Sequence, residues 1–189
     1  MKIGLSGVAG SFSEQAALTY ASDAGMQNPE LVYLTQASEV LDAVEAGTID
    51  VGIFAIENSN GGVVTEYLPA IAEHRFKVDK IFEIAVDHML LGVKGSHASN
   101  ITKIVSQRQA LRQCRMYLTR QWPSIEVGEY VDTATAAKDL ASGILSPTTA
   151  VVASARAGEI YGLDVLDEKI QDLKFNYTVF IAAKKFVSK

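Results

Sequence analysis

Four short stretches gather side chains able to bind and activate a small anion. Glu57-Asn58-Ser59-Asn60 follows directly on an apolar run and leads into Gly61-Gly62. Ser106, Gln109 and Gln113 recur along one segment, with Arg108 among them. Asn176 and Thr178 stand one residue apart at the mouth of another apolar run. Gly7-Val-Ala-Gly10-Ser11-Phe12-Ser13 closes the set with small residues whose backbone N–H groups can hold an anion at a helix start. The chemistry on offer is neutral hydrogen bonding beside one carboxylate. That suits binding a carboxylate and stabilising a departing oxygen. Asn176-x-Thr178 also matches a glycosylation acceptor, which is set aside as a chance match in a chain read as cytosolic.

Each cluster also has a purely structural account. Asn-Gly alone serves a turn, but a charged Glu57 at the end of an apolar strand needs a partner or a solvent-filled cleft. Ser11 with Glu14, and Ser106 with Gln109, have the spacing of capping boxes. If the helix begins at Ser106, then Gln109 and Gln113 share its face and make a cradle for a carboxylate; if Ser106 is only a cap, the rest is a solvated face. Asn176 and Thr178 lie on one face of an extended segment, or form an edge pair that ends the strand. The first loop is neither a Walker loop, since no Gly-Lys-Ser/Thr follows, nor a dinucleotide fingerprint, since its glycines are spaced by threes.

The elements that must position these residues alternate along the chain. Strand-like runs at 2–6, 31–34, 50–56, 103–106, 125–130, 149–154 and 178–183 are separated by helix-like runs at 11–25, 38–47, 63–74, 107–122, 133–143 and 155–162. One or two further strands are expected within 83–93. The fully apolar run at 50–56 suits the interior of a parallel sheet. Alternation of this kind implies an α/β fold with mostly parallel sheets, in which ligands sit beyond the carboxyl ends of strands.

Bulk properties exclude several classes. The 189 residues suffice for one domain or two small lobes. A net charge of −5 gives no footprint for nucleic acid or an anionic membrane. No window approaches the roughly 18 apolar residues of a membrane span, and the Gly-broken N-terminus is no signal peptide. The single cysteine, Cys114, allows no intrachain disulfide and reads as a buried helical thiol. His74, His88 and His97 show no ligand spacing, so neither a metal nor another cofactor is expected.

Taken in order, these segments resemble the prephenate dehydratase family. Gly7-x-x-Gly10-Ser11-Phe12-Ser13 is similar to its Gly-x-x-Gly-Thr-Phe-Ser. Ile56-Glu57-Asn58-Ser59-x-x-Gly62 matches its Ile-Glu-Asn-Ser segment. Ser106-x-x-Gln109-Ala110-Leu111-x-Gln113-Cys114 is similar to its Ser-His-Pro-Gln-Ala-x-x-Gln-Cys, and Thr133-Ala-x-Ala136-Ala137 to its Ser-Thr-Ala-x-Ala-Ala. Ile170-Gln171-Asp172 and Asn176-x-Thr178-x-Phe180 resemble its last motif. The resemblance implies a two-lobed fold similar to periplasmic binding proteins, with an interlobe cleft. Lobe one would take residues 1–78 plus 173–189, and lobe two 79–172, with no regulatory domain.

It also implies the conversion of prephenate to phenylpyruvate in phenylalanine biosynthesis, by a cytoplasmic lyase that is a homodimer or larger. Thr178, Glu57 and Asn58 would be catalytic. Ser59, Ser106, Gln109, Gln113, Asn176, Ser11 and Arg108 would bind substrate. Three positions depart from the family: Val63 replaces a serine, Gln107-Arg108 replaces His-Pro, and Val179 replaces an arginine read as an anchor for a substrate carboxylate. Losing one partner of a buried charge pair costs about 2–5 kcal/mol. Arg108 either supplies part of the missing charge or is a surface arginine in a first helical turn. The alternatives are a prephenate-using decarboxylase that stops short of aromatisation, and a cytosolic binding protein without turnover.

Overall fold

The computed structural model describes residues 1–187, which form two compact units. The first comprises residues 1–8, 12–85 and those from Tyr177 on; the second comprises Ala9–Ser11 and Val86–Asn176.

In the first unit β1 (Lys2–Ser6) leads to α1 (Phe12–Asp23), β2 (Glu30–Leu34), α2 (Ala37–Ala46) and β3 (Val51–Asn58). The short β4 (Gly62–Val63), α3 (Leu68–Glu73) and the ten-residue β5 (Phe76–Ala85) follow. In the second unit come β6 (Met89–Gly92), β7 (Lys103–Gln107), α4 (Arg108–Gln113), α5 (Arg115–Gln121), β8 (Glu126–Tyr130), α6 (Thr133–Ala141), β9 (Thr149–Ala153), α7 (Ala155–Tyr161) and β10 (Asp164–Asp167). The chain then returns to the first unit as β11 (Tyr177–Lys185).

Each unit is built on one sheet. The first has strand order β2-β1-β3-β11-β5, with β4 paired to β3; the second has order β10-β6-β9-β7-β8. Both are mixed. Parallel pairing holds in β2-β1-β3 and in β9-β7-β8, while β3-β11-β5 and β10-β6-β9 are antiparallel. The parallel halves are the strands joined through helices; the antiparallel partners arrive from elsewhere in the chain.

Helices cover both faces of each sheet, so the central strands are apolar on both sides. In β11, Phe180 and Ala182 join the core under α1, and Ile181 and Ala183 join the core under α2. In β9, Val151 and Ala153 face α6 and α7, while Ala150 and Val152 face α4 and α5. Strand periodicity of two is thus hidden in a continuous apolar run. The closest helix–sheet approach uses Gly52, where a Cβ would lie 2.6 Å from Val40 Cγ1 and 2.9 Å from Val44 Cγ2.

Several elements differ from the sequence reading. β5 begins at Phe76 and carries the first unit on to Ala85, beyond the expected boundary at 78, because nine of its ten residues pair with β11, with a bulge at Asp79. Its charged Lys77, Asp79, Lys80 and Glu83 belong to an edge strand and mask the pattern. The segment 63–74 is not one helix: β4, a 3₁₀ turn at Thr65–Tyr67 and α3 share it, with Pro69 in the first turn of α3. The helix expected from Ser38 starts one residue earlier, preceded by Gln36, whose N–H is bonded by Glu39. The long helix expected over 107–122 breaks at Cys114 into α4 and α5. The carboxylate of Asp172 accepts from the N–H groups of Met116 and Tyr117 at 2.8 and 2.9 Å, capping α5 afresh. Cys114 is fully buried at that break, and burial pushes its thiol up to about 12, so it remains protonated and unreactive at neutral pH. Among the described residues no helix is long and apolar enough to cross a membrane, and no group of three or more acidic, His or Cys side chains is placed to hold a metal.

Gly52→Ala should cost about 1–3 kcal/mol by overpacking α2 against β3. Denaturant unfolding monitored by circular dichroism measures it; a loss under 0.5 kcal/mol would show that α2 rides freely over that strand.

Candidate active site

In the first unit the polar site is made where β3 and β11 end side by side. Their register places Thr178 opposite Asn58 and Val179 opposite Glu57. The Asn58 carbonyl oxygen accepts from the backbone N–H groups of Asn60 and Gly61 at 3.0 and 2.9 Å. Backbone N–H groups can only donate, so the orientation of this amide is fixed. Its NH₂ therefore faces the other way, and donates to Thr178 Oγ1 at 2.9 Å and to the Tyr177 carbonyl at 3.1 Å. Because Thr178 Oγ1 accepts that bond, its own proton is left to point elsewhere as a donor. Ser59 seals the corner: its N–H donates to the Tyr177 carbonyl at 2.9 Å, and its hydroxyl accepts from the Tyr177 N–H at 3.0 Å.

Glu57 is exposed and stands in a row with Val63, Val179 and Glu83, each directly opposite the next on β4, β3, β11 and β5. Directly opposite residues share a face of the sheet. Thr178, one residue along β11, therefore faces the other side with Asn58. This alters the meaning of Val179. An arginine here would stand between Glu57 and Glu83, not on the face that carries Thr178. The two apolar replacements, Val63 and Val179, are both cross-strand neighbours of Glu57.

The second unit holds a second polar cluster. Asn176 is 2 % exposed, and its NH₂ donates to the Val86 carbonyl at 3.1 Å and to Gln113 Oε1 at 3.0 Å. Gln113 Oε1 also meets His88 Nε2 at 2.8 Å. Gln171 Oε1 accepts from the His88 N–H at 3.0 Å, and its NH₂ donates to Asp87 at 2.7 Å. Burial holds the His88 imidazole below its usual value, so it is neutral near pH 7.

The expected set is thus only partly of one kind. Ser106 is fully buried in β7 and gives its proton to the Val152 carbonyl at 2.6 Å. It is neither cap nor helical, since α4 starts at Arg108 with Gln107 before it and no side-chain cap, so no helical face joins it to Gln113. Asn176 lies before β11, which begins at Tyr177, and its NH₂ donates twice inside the second unit. Arg108 is exposed and lies 3.7 Å from Glu129 on β8. With Arg112, Arg115 and Trp122 it lines a groove of about 520 Å³ on the outer side of α4 and α5. Gln113 is about 140° around the helix from Arg108 at 100° per residue. Gln109 is half-buried, and Ser11 is half-buried just before α1. The Gly10 carbonyl accepts from Ser154 Oγ at 2.6 Å and the Ala9 carbonyl from the Tyr161 hydroxyl at 2.9 Å, which fixes Ala9–Ser11 against α7. Sequence reasoning passed over His88, Gln171 and Asp172 as actors. The Ile170-Gln171-Asp172 motif was visible, but its partners at 88 and 116–117 are remote in sequence.

The chain matches the family model described as prephenate dehydratase over residues 3–186. It is 34% identical over 181 residues to arogenate dehydratase 1 of Petunia hybrida, covering 96% of this chain and 41% of that one. Among solved structures it matches prephenate dehydratase from Arthrobacter aurescens in complex with L-Phe, with TM-score 0.88 and 25% identity over 100% of this chain and 61% of that chain. It also matches GqqA, described as a novel type of quorum quenching acylase, with TM-score 0.84 and 25% identity over 100% of this chain and 66% of that chain. The chain spans 41 to 48% of the length of the first curated relatives it matches.

Val179→Arg should stabilise the first unit by about 0.2–1 kcal/mol for each opposite-charge pair formed, with Glu57 and with Glu83. Urea unfolding of the single variant and of its Glu57→Gln and Glu83→Gln doubles measures this. A gain that survives both doubles would place the arginine elsewhere.

Proposed function

We propose a definite reaction for this chain, which belongs to the prephenate dehydratase family: the loss of carbon dioxide and water from prephenate, or from its amino counterpart arogenate, to give phenylpyruvate or phenylalanine. The ring C–carboxylate bond breaks and its electron pair enters the ring. The ring C–O bond breaks at the far side, and the oxygen leaves with its electrons and gains a proton to become water. Aromatisation drives the step. The enzyme has to hold the anion and to help the oxygen depart.

The observation that carries this reading is the one-way hydrogen-bond chain at Thr178. Backbone N–H groups orient Asn58, Asn58 donates to Thr178 Oγ1, and the Thr178 proton is therefore available to the departing oxygen. A hydroxyl near its ordinary acidity is a weak acid but a good positioned donor, and water restores any proton it passes on. Gln113 is read as a neutral donor to a substrate oxygen. Neutral donors bind a carboxylate without trapping it as a tight ion pair, which leaves its loss as CO₂ open. Glu57, on the other face of the strand pair, is read as shaping the charge beside the site.

An acylase needs an activated nucleophile with a general base in reach. Thr178 has a primary amide as its side-chain partner, which cannot take its proton. A decarboxylase that stops short of aromatisation would have no use for a donor aimed at a leaving hydroxyl. A cytosolic homo-oligomer without nucleic-acid or membrane partners completes the proposal; the net charge of −5 supports the absence of polyanion binding.

Purified protein incubated with prephenate and with arogenate should release phenylpyruvate or phenylalanine; a non-aromatic product, or ligand-induced stabilisation without turnover, would reject the reaction. Thr178→Val should lower kcat by about 10²–10⁴-fold with KM changed less than about threefold, while Thr178→Ser keeps most of the rate. Arg108→Ala should leave KM within about twofold, since its guanidinium faces Glu129. A tenfold rise in KM would restore it to the binding set.

A further inference from the structure

We propose that His88 is a positioning residue for Gln113, acting as a neutral Nε2–H donor that fixes which end of the Gln113 amide is offered to substrate. The inference rests on the reading of Gln113 as a substrate donor.

The argument starts from a group whose role is beyond choice. The Val86 carbonyl can only accept, so the Asn176 atom 3.1 Å from it is NH₂. The same NH₂ group lies 3.0 Å from the Gln113 side chain, so the Gln113 atom there is its oxygen. His88 Nε2 lies 2.8 Å from that oxygen, and an oxygen with no proton requires a donor. Nε2 therefore carries the imidazole proton. Three links, each forced by the one before, set an asparagine, a glutamine and a histidine tautomer from one backbone carbonyl.

Two donors on Oε1 saturate the oxygen of Gln113 and turn its NH₂ to the opposite side. Without His88 the oxygen loses one of these two donors, and the amide is held less firmly against the rotation that would present an oxygen to an anionic substrate. That error matters, because a carbonyl facing a carboxylate repels where an NH₂ would bind.

His88 is itself held without the use of its ring. Its N–H donates to Gln171 Oε1, and its carbonyl accepts from the Ile170 N–H at 2.9 Å. Gln171 reaches on to Asp87, whose carboxylate pairs with Lys169 at 3.3 Å. The ring is thus placed by the backbone at both ends of residue 88, and the adjacent negative charge of Asp87 is already matched. The imidazole has no need to ionise. It serves as a rigid donor, a role in which a Lys or Arg would add a charge and a Ser would not reach.

The test combines catalysis with a spectroscopic readout. His88→Leu should raise KM at least fivefold with a smaller change in kcat. His88→Gln, which carries an NH₂ near the Nε2 position, should recover KM to within about twofold of the parent. In a Gln113→Ala background, His88→Leu should add nothing further. Nitrogen NMR of the parent, with histidine labelled, should show the His88 ring as the neutral Nε2–H tautomer at pH about 7.

A neutral Nδ1–H tautomer, an imidazolium at that pH, or full additivity of His88→Leu with Gln113→Ala would each overturn the proposal. Unchanged KM in His88→Leu beside a raised KM in Gln113→Ala would do so as well. Should His88→Leu fail to fold, the His88→Gln kinetics and the tautomer still decide. Absence of any product from both substrates would reject the reaction, while the NMR readout would continue to judge the tautomer.

Discussion

The antiparallel seat of β11 between β3 and β5 is the constraint on which the first unit turns. This strand is the last in sequence yet lies inside the sheet, with apolar residues packed on both faces. An interior strand cannot slip, because a shift of one residue would exchange its two faces. The register that buries Phe180 and Ile181 is the register that brings Thr178 opposite Asn58. Core packing over four residues, Phe180 to Ala183, thereby positions a hydroxyl at the strand's open end. Only one residue separates Thr178 from Asn176, whose amide is locked in the second unit.

Both polar clusters use the same device. An amide side chain is ambiguous by itself, because its two ends are nearly the same shape. A backbone group is not ambiguous. In the first unit two backbone N–H groups hold the oxygen of Asn58; in the second a backbone carbonyl holds the NH₂ of Asn176. From these fixed points direction passes to Thr178 and to Gln113. Within each unit the result is an oriented neutral side chain, held by bonds that form when the chain folds. The charged groups near these clusters have neighbours of their own, Asp87 pairing with Lys169. Glu57 and Glu83 flank Val179 on the other face of the strand, and Arg108 turns to Glu129.

Much of this was legible in the sequence. The residues at 57–59, 113 and 178, and the apolar runs behind them, could be read as polar strand ends of an α/β chain. Their motifs carried the family. What escaped was everything that depends on a partner far along the chain. Ser106 looked like a cap and proved to be a strand residue bonded to Val152. Asn176 was expected to bind substrate; its amide donates to the Val86 carbonyl and to Gln113, 90 and 63 residues away. Arg108 was read either as compensating for Val179 or as a surface arginine; it is exposed beside Glu129, while cross-strand register sets Val179 between Glu57 and Glu83. Most of β5 was missed because its charged residues lie on an edge strand, where burial leaves little signature.

The sequence by itself determined which residues are available, most of the strands and helices, and that the donors are neutral. Those are properties of residue type and local spacing. Only the tertiary structure decided which donors face outward and which are consumed internally. A hydrogen bond spends a side chain's direction as well as its proton, and the partners that spend it at Ser106, Asn176 and Thr178 lie 46 to 120 residues away. No local pattern records that distance, so these pairings appear only when the strands are laid side by side.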